Sequence, residues 1–298
     1  MTNQGPTSPP ASTGASHTHP MAGVDNFSPG EIARMVETKG VAKAEAPILT
    51  TLVLGIVAGA FIALGAMFST VVGTGSTLGE GPTRLLAGVA FSLGLILVVV
   101  AGAELFTGNN LVVISWVSRH ITLGRLLRNW VLVYLGNAIG ALSVVMLAYL
   151  ADWWRLAGDS VGANAISIAA SKTSLSFGVA FVRGILANSL VCLAVWLATA
   201  GRSLTDKVLA IVFPVSAFVA AGFEHSIANM YFIPIGLLLS NQPAVVQKAA
   251  LPSDRLTTLD AAGLVTNITA ATLGNIVGGA VLVGLVYWFV YLRPKPIS

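Results

Sequence analysis

The sequence predicts an all-α polytopic membrane protein of six transmembrane helices, built as an inverted 3+3 repeat with broken second and fifth helices. Three observations predict it. Hydrophobic residues make up 55% of the 298 and charged residues only 9%, against roughly 25% charged in soluble domains, so a water-soluble fold could not cover such a surface. The charges are clustered, leaving several windows of about 20 mostly apolar residues, the length that crosses a hydrocarbon core of about 30 Å. Two of those windows are interrupted by polar clusters that match each other, AELFTGNN at 103 to 110 and FEHSIANM at 223 to 230.

Residues 1 to 27 form a first region rich in Ser, Thr, Pro, Gly and Ala. They cannot bury enough apolar surface to order themselves, so a disordered tail with solvated His17 and His19 is expected. No basic n-region precedes an apolar h-region here, and no cleavable signal peptide is expected. Residues 28 to 46 place Ile32, Met35, Val36 and Val41 at near-helical spacing among charges, predicting a short amphipathic helix at the membrane surface. The transmembrane domain fills 47 to 298, with spans at about 47 to 72, 85 to 117, 126 to 150, 174 to 200, 208 to 240 and 261 to 292. If the N-terminus is cytoplasmic, that side carries ten basic residues, among them Lys39, Lys43, Arg128 and Lys207, and the other side five. The excess places both termini inside. The net charge of +4 therefore reflects topology and not a nucleic-acid partner. The lone cysteine, Cys192, lies in an apolar span, so it reads as a small core residue, with no disulfide and no metal pattern.

The repeat is visible in constant offsets. Glu104 and Asn109 recur as Glu224 and Asn229, 120 residues on, and Asn129, Gly136, Asn137 and Gly140 recur as Asn267, Gly274, Asn275 and Gly278, 138 residues on. Gly55-Ile-Val-Ala-Gly59 is answered by Gly184-Ile-Leu-Ala-Asn188. Short matches arise by chance in a chain with 31 glycines, but several pairs in register across three consecutive spans argue for duplication, and an odd number of spans inverts the copy. The Gly pairs four apart suit close helix approach. Helices broken at corresponding positions of an inverted repeat point to a substrate site near the midplane, and irregular backbone at that depth must line a cavity or pack in protein. The architecture thus reads as a transporter or channel. A membrane enzyme would need a nucleophile and base or metal ligands, which one cysteine and one membrane histidine do not supply; a scaffold would not need paired broken helices.

His225 is the one histidine at membrane depth. Ionisable groups there cost about 2.5 to 3.5 kcal/mol for the strongly charged types and are read as functional by default, the alternative being a neutral imidazole bonded to backbone at the helix break. Glu104 and Glu224, with Asn109 and Asn229, read as structural, the carboxylates accepting backbone N–H groups where a helix stops. Thr107 in the second-span break is a candidate donor facing His225, and Asn188 is a further polar group in the fourth span. Lys172, just outside that span, either draws anions to a mouth or sits solvated in a loop. Phe91, Leu95 and Phe218 lead toward the breaks as core residues or as constrictions that favour a partly desolvated solute.

At these residues the chain resembles the formate/nitrite transporter family, in its formate channel branch. The resemblance rests on AELFTGNN, the RNW…GN…G pattern from Arg128 to Gly140, ILANSLVCLAVW at 185 to 196, GRSLTDK at 201 to 207, GFEHSIANMYFIPIG at 222 to 236 and GNIVGGAVLVGLVYW at 274 to 288, and covers 28 to 294. It implies a homopentamer with one pore per protomer, an aquaporin-like helix arrangement, a multi-pass protein of the cell inner (cytoplasmic) membrane, no cofactor, and as partners formate or a similar small anion, membrane lipid and further copies of the chain. Nitrite and hydrosulfide are the alternative substrates, and proton exchange with the solute near His225 is an expected coupling, since the acid form faces a smaller desolvation penalty than the anion. The family's central histidine falls on His225, its loop threonine on Thr107, its asparagine on Asn188, its vestibule lysine on Lys172, and its constrictions on Phe91, Leu95, Leu105 and Phe218. The chain departs from the family in its long N-terminal tail and in Gly108-Asn109-Asn110 after the threonine.

Overall fold

The computed structural model describes Met1 and residues 26–294; nearly all of the expected disordered tail, His17 and His19 included, lies outside the described residues. The described chain is helical throughout. Helix α1 (Pro29–Glu45) precedes α2 (Ile48–Gly73), α3 (Glu80–Ala101), the short α4 (Phe106–Asn109) and α5 (Val113–Val117), and α6 (Leu123–Leu150). The second half runs α7 (Ser160–Thr173), α8 (Phe177–Ala200), α9 (Leu204–Ala220), α10 (Ser226–Leu239), two short helices α11 (Pro243–Ala249) and α12 (Ser253–Thr257), and α13 (Ala261–Ile276). A nine-residue π-helical stretch, Val277–Leu285, carries α13 into α14 (Val286–Tyr291) as one continuous crossing. Five crossings are unbroken apolar helices long enough to span a bilayer, if α3 is counted to its break, and the remaining one is α9 plus α10.

The two halves repeat each other in their principal helices, α11 and α12 being extra to the second. Helix α2 packs on α6 and α3, and α8 packs on α13 and α9, while α3 against α9 joins the halves. Close approach sets these pairings. A Cβ on Gly140 would overlap the Ile56 carbonyl oxygen, and one on Gly278 would overlap that of Ile185, so these positions admit only hydrogen and the helices meet backbone to backbone.

Both long crossings break at a glycine in the left-handed region. Gly102 (φ 82) ends α3 and Gly222 (φ 71) follows α9, the same 120-residue offset that relates the glutamates. An L side chain is strained at such φ, so glycine stops the helix there. The next residues run extended, Leu105 (φ -106, ψ 126) and His225 (φ -111, ψ 111), before the chain turns back into helix. Leu105 and His225 are thus positional counterparts, one apolar and one polar.

The structure extends the repeat beyond the expected boundaries of 47 to 150 and 174 to 292. Residues 160–173, expected as loop, form α7, the counterpart of α1. Lys172 therefore sits in the last turn of a helix, not in a loop. Helix α1 buries Ile32, Ala33, Val36 and Ala44 against protein, packed on α5, α6 and α8, and the Ser115 hydroxyl donates to the Glu37 carbonyl at 2.7 Å. Its apolar face is spent on its own bundle.

Candidate functional site

Backbone groups freed by the two breaks find side-chain partners on the third crossing of each half. Asn137 Oδ1 accepts the Phe106 N–H at 2.9 Å, and its Nδ2 donates to the carbonyls of Gly55 (2.7 Å) and Glu104 (2.9 Å). Asn275 does the same for the other half, accepting from Ser226 N at 2.9 Å and donating to Gly184 (2.8 Å) and Glu224 (2.9 Å). Burial without partners would cost roughly 1–3 kcal/mol per group. This corrects the expected role of the glutamates: the Phe106 and Ser226 amides go to asparagines, those of Glu104 and Glu224 to the carbonyls of Leu54 and Arg183, and among the described residues no backbone N–H donates to either carboxylate.

The glutamates instead bind lysines. Lys43 Nζ donates to Glu104 Oε1 (2.8 Å) and Asn109 Oδ1 (2.9 Å), and Asn109 Nδ2 donates to Glu104 Oε2 (2.6 Å) and Asn129 Oδ1 (3.0 Å). In the second half Lys172 Nζ donates to Glu224 Oε1 (3.0 Å), and Asn229 Nδ2 to Glu224 Oε2 (2.6 Å) and Asn267 Oδ1 (2.7 Å). The Asn129 and Asn267 amides close each cluster on the carbonyls of Lys43 (3.1 Å) and Lys172 (2.9 Å). The copies differ in burial: side-chain exposure is 32% and 15% for Lys43 and Glu104, but 14% and 3% for Lys172 and Glu224. Removing one partner of a buried pair strands the other charge, at a cost of about 3–5 kcal/mol. Lys172→Ala is therefore expected to lower the thermal unfolding midpoint clearly more than Lys43→Ala, with the loss largely recovered in Lys172→Met combined with Glu224→Gln; equal losses for the two lysines would contradict this ranking.

Each cluster stands in the wall of a vestibule. On the α1 face a cavity of about 310 Å³ is lined by Lys39, Lys43, Glu104 and Asn109 and ends at Leu95 and Leu105. On the opposite face one of about 380 Å³ is lined by Arg84, Lys172, Arg183 and Asn229 and ends at Phe91, Phe218, Phe232 and His225. Between them Phe91, Leu95, Leu105, Phe218 and His225 line a gap too narrow for a water-sized sphere. Phe91 meets Phe218 edge to face at 5.6 Å, and Phe218 stacks on the His225 ring at 5.9 Å.

His225 is the polar group at the gap. It caps α10, its Nδ1 accepting the Ala228 N–H at 3.0 Å, while Nε2 lies 3.0 Å from Thr107 Oγ1. A nitrogen that accepts carries no proton, so the geometry assigns a neutral ring with its hydrogen on Nε2. Thr107 is fully buried behind that ring, lining neither the vestibules nor the gap. Asn188 stands further back, its Nδ2 near the carbonyl oxygens of Thr107 (3.2 Å) and Asn275 (2.7 Å) and Asn110 Oδ1 (3.0 Å). The structure thus brings His225 and the four apolar residues Phe91, Leu95, Leu105 and Phe218 together, sets Thr107 against the histidine, and keeps Asn188 away from the gap and both vestibules.

A family model described as formate/nitrite transporter matches residues 30–289. The chain belongs to the formate/nitrite transporter family. It is 43% identical over 273 residues to the formate channel FocA of Escherichia coli K12, covering 90% of this chain and 96% of that one. A probable formate transporter of Methanothermobacter thermautotrophicus is 36% identical over 283 residues, with 89% and 97% covered. Among solved structures, a pentameric formate channel with formate bound superposes with a TM-score of 0.74 at 39% identity, covering 83% of this chain and 98% of the other. As a member of this family the chain is a multi-pass membrane transport protein.

Two functional candidates escaped the sequence reading. Lys43 was legible, since it precedes Lys172 by 129 residues, the offset that relates Gly55 to Gly184. Arg183, alone in an apolar run, lines the same vestibule as Lys172 and donates to the Gly222 carbonyl at 3.4 Å, as Arg84 does to that of Ala220 at 3.2 Å.

Proposed function

We propose that the protein is a formate channel, pentameric with one pore in each protomer, in which the His225 Nε2–H, donated to Thr107 Oγ1 at 3.0 Å in the anion-free protein, is exchanged onto the passing anion. The observation that carries this reading is a neutral, Nε2-protonated histidine in a dry apolar gap between two vestibules walled by cations. Arg84 and Arg183 on one side, and Lys39 on the other, raise the local anion concentration, since Lys172 and Lys43 are offset by Glu224 and Glu104. The slit formed by Leu95, Leu105, Phe91 and Phe218 strips water from the anion, and the positive end of α10 together with the His225 N–H offsets part of that loss. Names borne by the relatives support formate as the anion and a pentamer as the assembly.

The cap also limits what His225 does with protons. An imidazolium carries a hydrogen on Nδ1, which the Ala228 N–H at 3.0 Å already fills. While α10 keeps its cap, the ring stabilises the anion as a donor and does not hand it a proton. The basic excess on the α1 face supports placing that face and both termini in the cytoplasm. Purified protein in liposomes is expected to pass formate rapidly and nitrite or hydrosulfide more slowly; background formate flux beside fast nitrite flux would overturn the assignment.

A further inference from the structure

The α1 face holds a second cavity that the transport reading leaves unused. It measures about 430 Å³ and is lined in part by Phe27, Lys39, Arg202 and Lys207. Lys39 and Thr199 line both this cavity and the neighbouring vestibule, so the two adjoin. The Arg202 guanidinium sits 4.1 Å over the Phe27 ring, and the Phe27 N–H is tied to the Ala200 carbonyl at 3.3 Å. That arrangement fixes one cation at the rim.

The acids nearby are already engaged. Glu31 accepts the Ser28 N–H (2.8 Å) and hydroxyl (2.7 Å) at the start of α1, and Asp206 accepts the N–H groups of Arg202 (3.0 Å) and Ser203 (2.9 Å) at the start of α9. Among the described residues, neither Lys39 nor Lys207 forms an ion pair. Burial, and then the ammonium groups of Lys207 and Lys43, hold the Lys39 amine below its ordinary range. The Thr199 hydroxyl donates to the Val195 carbonyl at 2.9 Å and is not free for a ligand. Glu31 and Asp206 keep their charge beside Arg202, but Lys39 and Lys207 face each other without a paired acid, and such like charges cost free energy that a bound anion returns.

We propose that this cavity binds a phosphate-type dianion between Lys39, Lys207 and Arg202. The valence follows from the two unpaired ammonium groups of Lys39 and Lys207, with the Arg202 guanidinium beside them partly offset by Glu31, and the class from the match between a guanidinium fork with two ammonium groups and the oxygens of a phosphate. The cavity is larger than a three-atom anion needs. Occupation places negative charge at the neck leading to Lys43 and repels monoanions arriving from that face; this consequence rests on the transport reading, whereas the binding itself does not. Free phosphate and a phosphomonoester lipid headgroup share the chemistry.

The test uses the purified full chain. Inorganic phosphate, compared with chloride at equal ionic strength, is expected to raise the thermal unfolding midpoint saturably; the rise disappears in the Lys39→Gln/Lys207→Gln variant and persists in Lys39→Arg/Lys207→Arg. Vesicles containing phosphatidic acid separate the two sources, since a headgroup in the site abolishes the response to free phosphate, and free phosphate as the ligand leaves it intact. Phosphate on the α1 face should lower formate flux about tenfold at saturation in the wild type and leave the glutamine variant unaffected. A wild type whose midpoint ignores phosphate, or an equal rise in the glutamine variant, overturns the site. Should the glutamine pair fail to fold by size exclusion, Arg202→Gln supplies the same comparison. A rise in midpoint without any change in flux overturns the inhibitory role alone, and absent formate flux in every sample overturns the transport reading while the midpoint still decides the site.

Discussion

His225→Ala is expected to reduce formate flux by about ten- to hundredfold, the loss of one hydrogen bond to a charged solute at roughly 1.5–3 kcal/mol. The same change removes the acceptor for the Ala228 N–H, adding about 1 kcal/mol of cap energy to the damage. His225→Asn separates the effects, because an asparagine at the N-cap of α10 can accept that N–H and still offer an amide hydrogen to the gap. It should recover most of the stability and part of the flux in liposomes. Across about pH 5 to 8, the flux profiles of wild type and His225→Asn are expected to coincide, as a ring that only donates through Nε2–H takes no part in proton transfer. An acid-side rise present in the wild type and absent from the asparagine variant would give His225 a proton-carrying role instead.

The second large effect is structural. Gly140→Leu is expected to destabilise the fold by at least about 3 kcal/mol, because even the first side-chain carbon would overlap the Ile56 carbonyl oxygen and force α2 and α6 apart. Those helices hold Asn137 against Gly55 and Glu104, so separation also leaves the break in the second crossing without its partners. Gly278→Leu should act alike on α8 and α13, while Gly81→Ala, which meets open space, should change nothing. Size-exclusion profiles and unfolding midpoints check this; a normal profile for Gly140→Leu would show that the helices can part at little cost.

What the sequence disclosed followed from contrast. Polar residues in an apolar run are conspicuous, so Glu104, Asn109, Glu224, Asn229 and His225 stood out, and constant offsets exposed the inverted copy. Helix α7 did not stand out, because its Ala- and Ser-rich run SVGANAISIAASKT is too short to span and too weakly patterned to announce a face. Without α7 the kinship of Lys43 and Lys172 stayed hidden. The π-helical stretch was illegible for a different reason: in VGGAVLVGL every residue is apolar, and a uniform run carries no period. Within it a Cβ on Gly279 would overlap the Asn188 amide, which donates to the Thr107 carbonyl in α4. Which side chains reach the gap and which stand behind it was a matter of depth, which spacing along one chain does not encode.

The unequal burial of the two lysine–glutamate clusters bears on the direction of traffic. A duplication that had kept its halves identical would present the same field from both ends, whereas here one mouth holds its lysine half-buried and the other holds it in the dry wall. Voltage applied across such a conduit meets a different electrostatic slope from each end. Unequal flux at opposite voltages is thus the expected consequence of the divergence of the two copies, and equal flux in both directions through oriented protein would contradict it.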